Sequence, residues 1–127
     1  MIKIDRGEYT LMLSQNPCEI FSQISRKDLA GFKYQECIEC MEKKIDIHGI
    51  VECDDKGKPF VLINMNMIEN PYIGTALIFH EMMKLAFIIF NGYHPDDQAN
   101  LLAYAEGNTL DAIDLIRRHK LDTILHN

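Results

Sequence analysis

A run at residues 76–90, A-L-I-F-H-E-M-M-K-L-A-F-I-I-F, carries only three polar side chains: His80, Glu81 and Lys84. On a helix, positions four apart lie about 40° apart and adjacent ones about 100° apart, so these three share one side of the rod. The other positions are apolar all round, the pattern of a helix buried in a core. A membrane-spanning helix needs ~18–20 apolar residues, so this shorter run with ionisable groups reads as a core element. Burying charge is costly unless it is paired or metal-bound, and the polar spot therefore asks for a partner.

The chain has 127 residues, enough for one domain with a real core, and we read residues 1–127 as a single domain. Its 47% hydrophobic and 25% charged residues are those of a soluble globular protein. A net charge of -6 argues against general nucleic-acid binding, which needs Lys and Arg on phosphates. The basic group Arg117, Arg118, His119 and Lys120 suits a helix C-terminus. No signal-peptide pattern opens the sequence, so the expected compartment is the cytoplasm, without membrane attachment and with Cys18, Cys37, Cys40 and Cys53 reduced.

Residues 16–44 read as helical, broken at Gly31. At 45–52 the period switches toward two, D-D-K-G-K-P supplies turn chemistry, and F-V-L-I-N-M-N-M follows at 60–67. That is a strand, turn, strand unit over 47–67. Pro71 fits the first turn of the long helix, and Gly92 its C-cap. A further helix is expected from Asp96 to about Glu106, with a break at Gly107-Asn108 and a last helix capped by Thr109. The expected class is α+β: a small antiparallel or mixed sheet packed on the 76–90 helix, with flanking helices.

His80-Glu81-x-x-Lys84 is one residue away from His-Glu-x-x-His, in which two histidines one turn apart bind zinc and the glutamate activates water. Three pieces stand in order: the strand F-V-L-I-N-M-N-M with Asn64 and Asn66, the helix T-A-L-I-F-H-E-M-M-K at 75–84, and D-D-Q-A-N-L-L-A at 96–103. Together, over residues 45–104, they resemble the ImmA/IrrE family of zincin-like metallo-endopeptidases. That resemblance implies His80 and Asp96 as metal ligands, Glu81 as general base, and Asn100 as the residue orienting His80. It also implies a peptide-binding strand at Asn64 and Asn66. The second histidine is replaced by Lys84, which has no lone pair while protonated.

A catalytic zinc normally has three protein ligands, so His80 and Asp96 alone form a weakened site. Lys84 has the charge to replace the metal, pairing with Glu81 and Asp96; a simpler reading is an i, i+3 pair with Glu81 or a side chain snorkelling to the surface. A rescued site would need a substitute ligand, with His94 and Asp97 nearest. The expectation is a degenerate domain without a cofactor that binds a protein or peptide partner through the cleft beside the 60–67 strand, where an extended peptide could add. The alternative is an active metallo-endopeptidase cleaving a regulator such as a transcriptional repressor, with zinc bound. Cys37-x-x-Cys40 reads as buried small hydrophobes, and Cys53 and His48 alone make no site.

Overall fold

The computed structural model describes residues 2–14, 49–54, 56–65, 71–91 and 97–126. They form four strands and two helices: β1 (Ile2–Asp5), β2 (Thr10–Ser14), β3 (Gly49–Cys53), β4 (Pro59–Asn64), α1 (Pro71–Ile89) and α2 (Gln98–His126). The sheet order is β1-β2-β4-β3. β1 and β2 pair antiparallel, as do β3 and β4, while β2 and β4 run parallel at the centre with Leu11 opposite Val61 and Leu13 opposite Ile63. The class is thus α+β with a mixed sheet. The 16–44 helices, and with them Cys18, Cys37 and Cys40, lie outside the described residues.

The β3–β4 hairpin follows from its turn. Asp54 Oδ1 accepts from the N–H groups of Lys56 and Lys58, each at 2.9 Å, and Gly57 takes φ 83°, open to residues without a Cβ. The β1–β2 hairpin was not expected from the sequence. Its turn uses the same device: Asp5 Oδ1 accepts from Gly7 N–H at 2.8 Å, with Gly7 at φ 89°. Asp5 also binds Lys58 Nζ at 2.8 Å, and this bond, then that from Gly7, holds its carboxyl below the usual range.

Alternation along the strands sends Leu11, Leu13, Val51, Val61 and Ile63 to one face, where they meet Ile78, Met82, Leu85 and Ala86 of α1 and Leu101, Ala105, Ala112 and Ile116 of α2 in one core. Met12, Ile50, Phe60 and Leu62 point to the opposite face and are buried too, so the central strands are apolar on both sides. The buried α1 positions recur at three- and four-residue intervals and so cover one face only. Tyr72 is 88% exposed, and Ile73, Phe87 and Ile88 are also exposed, which corrects the expectation of a helix buried all round. The helix begins at Pro71, where the sequence placed its first turn, and Tyr72–Ile89 is long and apolar enough by composition to cross a membrane. In the fold its Ile78–Ala86 face packs on the sheet.

α2 corrects a second expectation. The break at Gly107-Asn108 does not occur, and Thr109 lies inside one continuous helix, its Oγ1 donating to Ala105 O at 2.7 Å. The buried stripe Leu101, Ala105, Thr109, Ala112 and Ile116 keeps helical spacing straight through the glycine, so core packing overrides a weak local propensity. Gly107 has no positive φ, and a Cβ there would meet nothing within 4 Å. Gly107→Ala is therefore expected to raise stability by about 0.5–1 kcal/mol in urea denaturation, whereas a C-cap glycine would lose stability on the same change.

The β1–β2 turn is tied to α2. Arg6 binds Asp111 at 2.7 Å, and Tyr104, packed edge-on against Phe90 with ring centroids 5.4 Å apart, donates to Glu8 at 2.9 Å. Beside them Tyr9 is 2% exposed, and its hydroxyl has no hydrogen-bond partner among the described residues. Burial, then the Asp111 charge, pushes this phenol up from 10.0 to about 12. Burial, then the bond to Glu8, takes Tyr104 to about 12 as well. The folded state holds these protons more tightly than the unfolded one, so the contribution is intact below pH 10.0 and is lost as pH rises toward 12. Tyr9→Phe should leave neutral-pH stability equal or up to about 1 kcal/mol higher, because an unsatisfied hydroxyl is removed. It should also flatten the alkaline fall, measured as urea midpoint against pH.

Candidate functional site

The candidate site forms where α1 passes under the sheet edge made by β3. Glu81 falls on the core-facing stripe between Ile78 and Leu85 and is only 4% exposed. Its side chain fits there because Gly49 opens β3: a Cβ at Gly49 would stand 2.7 Å from Leu62 O, 3.0 Å from Glu81 Cγ and 3.2 Å from Glu81 Cδ. Gly49 is opposite Ile63 in the β3–β4 register, on the face that α1 covers. A missing side chain on the strand thus makes room for a carboxyl group on the helix.

Lys84, one turn along, places Nζ 3.7 Å from Glu81 Oε1, with a side chain 45% exposed. Glu81 Oε2 is buried without a hydrogen-bond partner among the described residues. The pair is long and half in water, and ion pairs of that kind contribute roughly 0–1 kcal/mol, less than burial of a carboxylate costs. Of the cluster expected from the sequence, the described residues show the i, i+3 pair of Glu81 with a lysine reaching the surface; Asp96, its third member, lies outside them.

His80 is exposed, so the three polar residues of the run divide between core and solvent. The 100° step from His80 to Glu81 is wide enough to put one at the edge of the helix and the other beneath the sheet. Asn100 is exposed in the first turn of α2 and makes no hydrogen bond to His80; Asp97, just before that helix, is exposed too. Among the described residues no three His, Cys, Asp or Glu side chains converge as metal ligands. His94, Asp96 and Asn66 lie outside the described residues.

Asn64, at the end of β4, is 0% exposed and stands opposite Ser14 of β2, itself buried. β4 is bonded to β2 on one side and to β3 on the other, so over Pro59–Asn64 it has no open edge for an added strand. The expected peptide-binding strand is corrected on this point: within the described sheet the free edges belong to β1 and β3. Gly49 and the β3 edge went unread because a glycine in a strand signals close approach only once its neighbour across the layers is known. Cys53, at the far end of β3, is a free thiol raised by burial, then by the charges of Glu52 and Asp54, and so is poorly suited to act as a nucleophile.

Comparison with protein-family models, with curated proteins and with solved structures finds no match to this chain. The site must be read from its own chemistry. If Glu81 is kept at the expense of stability, Glu81→Met should fill the same space without burying charge. The expected gain is about 1–2 kcal/mol in urea denaturation; a loss of similar size would show that Glu81 is a structural requirement.

Proposed function

We propose that this chain is a zincin-like domain of the ImmA/IrrE type whose metal site has degenerated and which acts by holding a protein partner. The observation that carries the reading is Glu81, buried on the helix beneath Gly49 of the edge strand, with Lys84 paired to it where the motif would place a second histidine. A helix bearing His-Glu under a sheet edge is the arrangement that presents a carboxylate beside an extended chain. Here β3 is the edge nearest that carboxylate, and an extended peptide would add to β3 by main-chain hydrogen bonds. The order of the 60–67 strand, the 75–84 helix and the 96–103 segment supports the same ancestry.

Among the described residues the donors do not make up a zinc site. His80 is the sole imidazole in the motif, and Lys84 brings an ammonium to the place of the second ligand, where it repels a cation and offers no lone pair. Glu81 is turned toward that ammonium. Its Oε2, without a partner among the described residues, favours the second reading, an active metallo-endopeptidase, because a buried carboxyl oxygen of that kind is where a bound water or metal would be accommodated.

Metal analysis of the wild type and of Lys84→His separates the two. The expected result is no stoichiometric zinc in the wild type and stoichiometric zinc in the variant, since restoring a neutral imidazole restores the third ligand. Stoichiometric zinc in the wild type, with proteolysis of a partner lost in Glu81→Gln, would overturn the pseudoprotease reading. Failure of Lys84→His to take up zinc would count against the zincin ancestry itself.

A further inference from the structure

Where α1 and α2 lie side by side they leave a groove of about 510 Å³ lined by Tyr72, Ala76, Phe79, Glu106 and Leu110. Thr75 separates it from a smaller one of about 170 Å³, floored by Ile78, Ile113 and Ile116 and rimmed by Arg117 and Lys120. The two are segments of one groove running along α2. Glu106, Leu110, Ile113, Arg117 and Lys120 fall on one stripe, because steps of four, three, four and three residues return to nearly the same side of a helix. Leu110 is 69% exposed in the middle of that stripe, and Glu106, Arg117 and Lys120 are exposed around it.

The groove is therefore negative at one end, apolar in the middle and positive at the other. Glu106 and Arg117 are eleven residues apart, about 16 Å along the axis at 1.5 Å per residue. A partner that fits must carry the opposite order of charge at the same spacing, with an apolar group between. A second α2 laid antiparallel across the first has that order. A two-fold axis near Leu110 and Ile113 puts each Glu106 against Arg117 and Lys120 of the other copy and packs the two Leu110 side chains together. A parallel arrangement would set like charges against each other, which disfavours it.

From this geometry we infer that the α1–α2 groove is the interface of an antiparallel homodimer, with Leu110 at its centre and reciprocal Glu106–Arg117 pairs at its ends. The inference stands independently of the peptidase-like reading, since neither Glu81 nor β3 takes part. It also gives the basic group within α2 an acidic partner in a chain of net charge -6.

Sedimentation velocity on the intact chain, from micromolar to about millimolar concentration, tests it. The wild type should pass from monomer to dimer. Leu110→Glu should remove the dimer while leaving the circular dichroism spectrum unchanged, as the side chain is exposed. Glu106→Arg and Arg117→Glu alone should each raise the dimer Kd about tenfold or more, and the double reversal should bring it back toward the wild-type value. A monomer throughout the range, a dimer indifferent to Leu110→Glu, or no recovery in the double reversal would each overturn the inference.

Discussion

The contact between one face of α1 and the central strands governs the rest of the molecule. Met82, Leu85 and Ala86 are fully buried against the layer formed by Leu11, Leu13, Val61 and Ile63. Each large apolar side chain withdrawn from water in this way contributes roughly 1.5–3 kcal/mol, and close packing means that no one of them can shift alone. Once that face is fixed, helical geometry leaves no choice about its neighbours. Glu81 must lie under β3, and His80 and Lys84 must emerge at the side. α2, whose own buried stripe of Leu101, Ala105, Ala112 and Ile116 needs a partner, is then held against α1 and tied to the β1–β2 turn through Arg6 and Tyr104.

Within that layer Glu81 is the exception. Every neighbouring position on the stripe is apolar, and the local solution to burying a carboxyl group is modest: a glycine opposite to give it space and a half-exposed lysine to give it charge. Such an arrangement is hard to explain as a route to stability, since a hydrophobic residue of similar volume would avoid the desolvation altogether. Residues retained against stability are expected where they serve function. This one is placed under β3, an edge strand of the described sheet.

The sequence was most readable where a signal was local and dense. D-D-K-G-K marked the β3–β4 turn because aspartate and glycine act on their own neighbours, and the long apolar run around Met82 with Pro71 ahead of it marked α1. The β1–β2 hairpin escaped notice: its strands are short, and β2 becomes an inner strand only through pairing with β4, far away in sequence. Gly107-Asn108 misled for the opposite reason, since a real local preference for a break was outweighed by the buried stripe on either side. At the site, helical spacing grouped His80, Glu81 and Lys84, but which of them would face inward depended on where the sheet lay. That, and the space made by Gly49, belongs to tertiary structure.

The parallel pairing of β2 with β4 has a consequence for how the chain reaches this state. Thr10 is matched to Phe60, so the two central strands can join only after some 50 residues of chain have closed into a loop. The β3–β4 hairpin and α1, by contrast, are made from contacts close in sequence and can assemble first. By sequence separation, the amino-terminal hairpin, although first in the sequence, is expected to dock after these local contacts, onto a surface supplied by β4. Until it does, the β2-facing edge of β4 is open, with Phe60, Val61, Leu62 and Ile63 along it. An apolar edge of that kind invites pairing with other chains during folding, a hazard that the finished sheet removes by placing the strand at its centre.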